Sequence, residues 1–153
     1  MKHKKLLLLQ STSSGFSLIE VMVSVLILSI GMLGIAAMQA TALRNTQSSM
    51  ERSQAVIHSY AILDSMRANV TAARANHYNV AWTCAAPAAT SLVTRDIADW
   101  ITSLRTGSGL QDGCGQINCV SNVCTVEVRW NDSRGTGTAS ALTDYSVRTV
   151  SRL

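Results

Sequence analysis

The sequence predicts an α+β fold in which one long N-terminal helix packs on a small antiparallel sheet. Residues 16–38 form a nearly unbroken apolar run, and residues 39–70 contain no proline or glycine, so a single helix can continue through both. Residues 124–130, CTVEVRW, alternate apolar and polar side chains with the period of a half-buried strand. A helix followed by strands is the element order of an α+β domain.

The apolar run has the length of a membrane-spanning helix. Residues 18–38 extend about 31 Å at about 1.5 Å per residue, close to the roughly 30 Å hydrocarbon thickness of a bilayer. Lys2, Lys4 and Lys5 precede the run, so we expect a cytoplasmic N-terminus and the rest of the chain outside. A secretory signal peptide fits less well, because Leu6–Leu9 is a short apolar stretch and no A-x-A-like cleavage site follows it.

One carboxylate, Glu20, lies inside the apolar run. An acidic side chain at the centre of a membrane helix costs about 2.5–3.5 kcal/mol on insertion scales, and less near an end where it reaches water. Glu20 is close to the cytoplasmic end, so simple tolerance is one interpretation. A functional role is the other, because ionisable residues in membrane segments usually serve a function.

The net charge argues against a nucleic-acid-binding protein. The 153 residues carry a formal charge of +4, but all three lysines precede Gly15, and ten arginines face nine acidic residues after it. Nucleic-acid binding requires a concentrated basic patch on the folded part. No nucleotide-binding loop or nucleophile elbow is present, so we expect neither an enzyme nor a cofactor.

The four cysteines, Cys84, Cys114, Cys119 and Cys124, all lie in the C-terminal part of the chain. An even number in a small domain beyond a membrane segment indicates disulfides in an oxidising compartment. The spacing lacks the C-x2-C of zinc knuckles, so no metal site is expected. Of the three possible connectivities, Cys119–Cys124 with Cys84–Cys114 is favoured, because Cys119 and Cys124 flank an expected four-residue hairpin turn.

The helix is expected to change character beyond the apolar run. Apolar positions recur at three- and four-residue spacing, but the stripe is weak over residues 44–54, which are polar nearly all round. Packing against neighbouring subunits would stabilise such a helix. Ile57, Tyr60, Leu63 and Met66 form a stronger face, on which the C-terminal domain is expected to pack. His58 and His77 are interpreted as surface or interface residues.

Residues 71–153 are expected to form a small globular head. Residues 71–93 are interpreted as an irregular connection, and TRDIADWITSLRT as a helix that Thr94 caps and Gly107 follows. INCVSNVCTV predicts a hairpin, and DYSVRTVSR a final strand. WNDSRGTG has the residues of a turn, which is favoured over a calcium site at Asn131 and Asp132.

The segment GFSLIEVMVSVLILSIGMLGIAAMQ resembles the N-terminus of type IV pilins and pseudopilins. The resemblance implies that a prepilin peptidase cuts between Gly15 and Phe16 and methylates the new N-terminus on Phe16. It also identifies Glu20 with the glutamate of that family. The implied organisation is a removed leader (1–15), a transmembrane and assembly helix (16–38), its amphipathic continuation (39–70) and a periplasmic head (71–153) with the pilin-like fold.

Several further segments resemble the PilV-type minor pilins, or type IV pilus modification proteins: SIGMLGIAAMQATALRNTQSS, RSQA, DSMRAN, DIADW and TVEVRWND. This resemblance implies a subunit that starts pilus assembly and supports motility or adhesion, first in the bacterial inner membrane and then in the pilus. The implied partners are the prepilin peptidase, other minor pilins, the major pilin and the inner-membrane assembly platform. The alternatives are a type II secretion pseudopilin and a tip adhesin or DNA receptor.

Overall fold

In a computed structural model, which describes residues 15–136 and 144–153, the protein has the predicted α+β architecture. A long helix packs on a four-stranded antiparallel sheet with strand order β1-β2-β3-β4. The helices are α1 (Leu18–Ala68), α2 (Val70–Arg74), α3 (Leu92–Thr106) and α4 (Ser133–Thr136). The strands are β1 (Val80–Thr83), β2 (Cys114–Val120), β3 (Val123–Asn131) and β4 (Asp144–Arg152). The predicted fold class is confirmed.

The chain divides into two compact units, residues 1–40 and residues 41–153. The described part of the first unit is the N-terminal part of α1 with the residues before it. The second unit contains the rest of α1 and the predicted head. Its core is formed by α1, α3 and one face of the sheet.

The face of α1 that enters this core differs from the predicted one. Leu63 and Met66 are buried as expected, but Ile57 and Tyr60 are 57% and 50% exposed. The buried face instead runs along positions spaced by three and four residues: Glu51, Ala55, Ser59, Ile62, Leu63 and Met66. Ala55 and Ser59 are small, so the head can approach the helix closely at these positions. A prediction based on large apolar side chains does not identify them as buried.

A buried carboxylate, Glu51, joins α1 to the sheet. Its Oε2 accepts a hydrogen bond of 3.0 Å from Nε1 of Trp130 on β3, and its Oε1 lies 2.8 Å from Nη2 of Arg134 on α4. Gln47 donates to the same Oε1 over 3.2 Å. The sequence predicts that this part of α1 is polar and weakly packed. In the structure, the Glu51 carboxylate instead forms specific contacts with β3 and α4.

We expect Glu51→Ala to destabilise the second unit by about 1–3 kcal/mol, because it leaves the buried Trp130 N–H without its acceptor and removes the carboxylate that pairs with Arg134. Glu51→Gln keeps an acceptor for Trp130 and should lose less. Chemical denaturation followed by Trp fluorescence measures both. An equal loss for the two variants would contradict a role for the Trp130 hydrogen bond.

The sheet is built around β3, whose side chains alternate as predicted. Cys124, Val126, Val128 and Trp130 point into the core, and the residues between them lie on the opposite face. The hairpin connecting β2 to β3 is tighter than expected: Val120 pairs with Val123, so only two residues form the turn. These two, Ser121 and Asn122, have φ of 49° and 67°, the left-handed conformation of a type I′ turn.

Helix α3 begins earlier than predicted. Ser91, not Thr94, is the N-cap; its side chain accepts from the Thr94 N–H and Thr94 accepts a hydrogen bond from the Ser91 N–H. Gly107 ends the helix as expected. Its apolar side chains Ile97, Trp100, Ile101 and Leu104 are buried, and Trp100 lies so close to β2 that a Cβ on Gly115 would be 2.3 Å from its ring.

Residues 71–93 are more ordered than predicted, since they contain strand β1 and most of α2. β1 pairs with β2 in an irregular register, Val80 with Ile117 and Thr83 with Gly115. A four-residue strand of this kind carries too short an alternation to be recognised in sequence.

The prediction of disulfides is confirmed: one joins Cys84 to Cys114 and the other joins Cys119 to Cys124. The first ties the residue after β1 to the start of β2. The second crosslinks two directly paired residues of the β2–β3 hairpin. Both therefore hold the sheet together at positions where a small core benefits from crosslinks.

Tyr78 connects the start of the head to α3. It is fully buried, its hydroxyl donates to Oδ2 of Asp96 over 2.5 Å, and burial, followed by this hydrogen bond, raises the pKa of Tyr78 to about 12. The folded state therefore holds the phenolic proton more tightly than the unfolded state does. The stability linked to this proton is complete below about pH 10 and is lost as the pH rises through about 12.

We expect the free energy of unfolding to fall by about 1 kcal/mol between about pH 9 and about pH 11, because Tyr78 deprotonates more easily in the unfolded chain. Denaturant titrations at the two pH values measure this difference. Tyr78→Phe should remove most of it, whereas Tyr60→Phe, at an exposed site, should not. A Tyr78→Phe variant with the full pH dependence would contradict this assignment.

Candidate processing and assembly site

Gly15 and Phe16, the predicted cleavage pair, lie immediately before α1. The carbonyl of Ser17 accepts the first hydrogen bonds of the helix, from the N–H groups of Glu20 and Val21, at 3.1 and 3.3 Å. Phe16 is thus outside the helix, and its side chain is 83% exposed. A Cβ built on Gly15 would meet nothing within 4 Å. The bond between them is therefore sterically open within the described chain.

Glu20 lies in the first turn of α1 and is exposed. A carboxylate in this position interacts favourably with the unpaired N–H groups and the positive end of the helix dipole. Glu20 is the only charged residue between Phe16 and Leu43. A cation that approaches this end of the helix therefore meets one carboxylate, four residues after the predicted new N-terminus.

The apolar side chains that follow Glu20 have no cover in the described structure. Residues 15–40 are all exposed, including the large apolar side chains of the run. Ser24 and Ser29 donate their hydroxyls to the carbonyls four residues earlier, both at 2.7 Å. The helix therefore satisfies its own polar groups, as hydrocarbon surroundings require.

This part of α1 is long and apolar enough to cross a membrane, by length and composition. An exposed apolar surface of this extent indicates contact with lipid or with other proteins. Together with the leader motif, it indicates membrane anchoring. The predicted leader, residues 1–15, lies outside the described residues except for Gly15.

A second exposed apolar surface lies further along α1, within the second unit. Leu43, Met50 and Ile57 are spaced by seven residues and are 71%, 58% and 57% exposed. The charged residues of this stretch include Glu51, which is buried, and Arg52, whose guanidinium lies over the Tyr145 ring, 5.0 Å from its centroid. We call the exposed row Leu43–Met50–Ile57 the α1 stripe. Its seven-residue spacing is that of helices that pack side by side.

The sequence contains these three apolar positions, but only the structure shows that the head leaves them uncovered. The contacts of Glu51 and Arg134 were not predicted, because a lone acidic residue in a polar stretch carries no local signal.

His58 is part of the α1–α3 contact: its Nδ1 lies 3.1 Å from Oγ of Ser103, and burial lowers the pKa of His58.

The four cysteines lie in the second unit and the cleavage and methylation residues in the first, so the predicted site residues form two separate groups. Within residues 15–136 and 144–153, no three side chains of His, Cys, Asp or Glu are arranged to hold a metal ion.

Residues 10–36 match the prokaryotic N-terminal methylation motif, a range that includes Gly15, Phe16 and Glu20. No curated protein and no solved structure is significantly similar to the chain. The motif covers well under half of the chain; it supports a subunit of the pilin or pseudopilin type and implies processing by a prepilin peptidase. The chain therefore carries, at its N-terminus, the prepilin leader and methylation motif of type IV pilin-like proteins.

Proposed function

We propose that the protein is a minor pilin, a subunit that is processed in the bacterial inner membrane and takes part in the initiation of type IV pilus assembly. The observation that carries the proposal is the N-terminal part of α1. It is wholly exposed and apolar, contains one carboxylate, and coincides with the methylation motif. Such a helix needs lipid before assembly and other helices after it.

Cleavage at Gly15 gives Glu20 its role in this proposal. It creates an amine on Phe16, which the peptidase methylates, at the head of an apolar helix. If neighbouring helices bury this amine, a carboxylate must accompany it, because an unpaired buried charge is strongly unfavourable. Glu20 of the same chain or of a neighbour supplies that carboxylate, and the pairing favours one axial register between helices.

The α1 stripe supports assembly beyond the membrane. Leu43, Met50 and Ile57 present an uncharged apolar row, while the head covers a different face of the helix. Packing of this row against helices of other subunits would continue the contact that the apolar run begins. In the proposed pilus these are the helices of other minor pilins and of the major pilin, added at an inner-membrane assembly platform.

The proposal is tested on the mature chain. In a strain with active prepilin peptidase, mass spectrometry of the membrane fraction should show loss of residues 1–15 and one added methyl group on Phe16. The peptidase-deficient strain is the control and should retain the full precursor. An intact Met1 terminus in the active strain would overturn the proposal.

A type II secretion pseudopilin is the second candidate, because the methylation motif is shared by pilins and pseudopilins. The PilV-type resemblance of the segments beyond residue 36, including DIADW and TVEVRWND, favours the pilus. A deletion strain separates the two: we expect loss of surface pili and motility with normal enzyme secretion. Loss of secretion with normal piliation would assign the chain to the secretion system instead.

A further inference from the structure

The two edge strands of the sheet differ in length and regularity. β1 has four residues, and its register with β2 shifts between Val80 and Thr83. Cys84, directly after it, is crosslinked to Cys114. β4 has nine residues and pairs with β3 in one uninterrupted register. A long, regular edge is a template for another strand, and proteins usually shorten, distort or cover it. β1 is short and distorted, whereas β4 is neither.

The hairpin register determines which backbone groups of β4 face away from β3. Val120 and Val123 flank the two-residue turn, so they exchange hydrogen bonds, and the bonding direction alternates along β3 from there. Every second residue of β3 from Cys124 therefore bonds to β4. The hydrogen bond of 2.9 Å from the Leu153 N–H to the Asn122 carbonyl has the same phase. The β4 residues whose N–H and C=O groups face the edge are Ser146, Arg148, Val150 and Arg152. In the described part of the chain, no strand pairs with this edge.

One side of α1 runs alongside β4. The Arg52 guanidinium lies over the Tyr145 ring, 5.0 Å from its centroid, and Nη2 of Arg67 donates to Oγ of Ser151 over 2.9 Å. The two contacts are fifteen residues apart on α1 and six residues apart on β4. These separations correspond to about 22 Å of helix and about 20 Å of strand, so the two elements run in the same direction side by side.

The surface of α1 between these two contacts is apolar and uncovered. Val56 and Tyr60 follow Arg52 at four-residue spacing, so they lie on the same side of the helix. Their side chains are 37% and 50% exposed. An apolar surface therefore lies next to an open row of backbone hydrogen-bonding groups.

We propose that the open edge of β4, together with Val56 and Tyr60, binds an extended segment of a different protein by strand addition. We call these elements the β4 edge site. Only an extended chain offers N–H and C=O groups at the spacing of about 7 Å at which the edge presents its own. In the antiparallel orientation of this sheet, alternate side chains of the added segment face α1, and the others lie beside Arg148 and Arg152. A fitting segment is apolar on the first side and acidic on the second.

A second copy of β4 fits this site less well than a different protein. Its Arg148 and Arg152 would approach the same arginines of the first copy, and like charges on paired strands are destabilising. Its inward side carries the polar Thr149 and Ser151 where the site takes apolar side chains. Arg148 already pairs with Glu127, 3.2 Å away. Arg152 has no salt bridge within residues 15–136 and 144–153, so it can bind a carboxylate of the added segment.

The test uses the full processed chain in detergent micelles and a fluorescent peptide as long as β4, in which glutamate and valine alternate. We expect the peptide to bind, as measured by fluorescence anisotropy. The control is the same peptide methylated on the amide nitrogens of its glutamates. In the antiparallel pairing these N–H groups face β4, so the methylated peptide should not bind. No binding of the first peptide, or equal binding of both, would overturn the inference.

Hydrogen exchange shows where the peptide binds. It should slow exchange of the Ser146, Arg148 and Val150 amides, which face the edge, and leave Val147 and Thr149 unchanged, because these already bond to β3. Protection without this alternation would contradict strand addition. Protection of the edge amides before any peptide is added would show that a second copy or another part of the chain covers the edge, and would also overturn the inference.

Val150→Pro removes one edge-facing N–H without removing a bond to β3, so it should weaken peptide binding about tenfold. Val150→Thr is the matched control, because it keeps the N–H and a β-branched side chain, and it should bind like the wild type. Tyr60→Ser should also weaken binding. Because Tyr60 is exposed, this variant keeps the test decisive even if Val150→Pro lowers stability. Wild-type affinity in both variants would overturn the inference.

The inference rests on the proposed function for the source of the segment, which is another protein of the assembly. The two can fail separately, because the Phe16 terminus is checked by mass spectrometry and the peptide test does not involve it. A correctly processed chain that binds no peptide would remove the β4 edge site and leave the proposed function standing.

Discussion

Gly15→Val should leave the precursor uncut in a strain with active prepilin peptidase. A β-branched side chain restricts the backbone and blocks its close approach to a protease, whereas glycine permits both. The variant should not disturb the fold, because a Cβ at Gly15 meets no atom of the described chain within 4 Å. Loss of cleavage would therefore report on recognition by the peptidase and not on a clash within the protein.

The effect on processing should be all or none, and immunoblots of membranes for the shift from precursor to mature chain measure it. Gly34→Ala is the matched control, since a Cβ there also meets nothing within 4 Å and the residue lies inside α1. It should be processed like the wild type. Normal cleavage of Gly15→Val would show that the peptidase cuts at a bond other than Gly15–Phe16.

Glu20→Ala should be processed and inserted normally but should fail to enter pili. Removing a charge from an apolar segment eases membrane insertion. In the assembled state, the same change leaves the Phe16 amine buried without a carboxylate, which costs about 3–5 kcal/mol when one partner of a buried pair is lost. A loss of that size corresponds to recovery reduced by more than about a hundredfold if assembly is at equilibrium.

The measurement is the amount of variant that co-purifies with sheared pili at wild-type membrane levels. Glu20→Asp keeps the charge on a shorter side chain and should recover part of the incorporation. Ser24→Ala is the control for a polar change in the same segment, because its hydroxyl already bonds within the helix. Undiminished recovery of Glu20→Ala would show that the carboxylate is only tolerated near the membrane edge.

The second unit shows why burial was harder to predict than element type. The helix face chosen from large apolar side chains included Ile57 and Tyr60, which the structure exposes, and it omitted Glu51 and Ala55. Which side of a helix is covered depends on the partner that folds onto it. That partner is distant in sequence: Glu51 meets Trp130 across 79 residues, and Ser48 meets Asp132 across 84.

The sequence by itself determined the features that depend on neighbouring residues. These are the methylation motif around Gly15, the uninterrupted helix, the alternation of β3 and the extent of β4, because periodicity and motif spacing are local properties. Only the tertiary structure decided the buried role of Glu51, the short strand β1 and the exposure of the α1 stripe. Each of these depends on side chains brought together by long-range packing, and no local pattern carries that information.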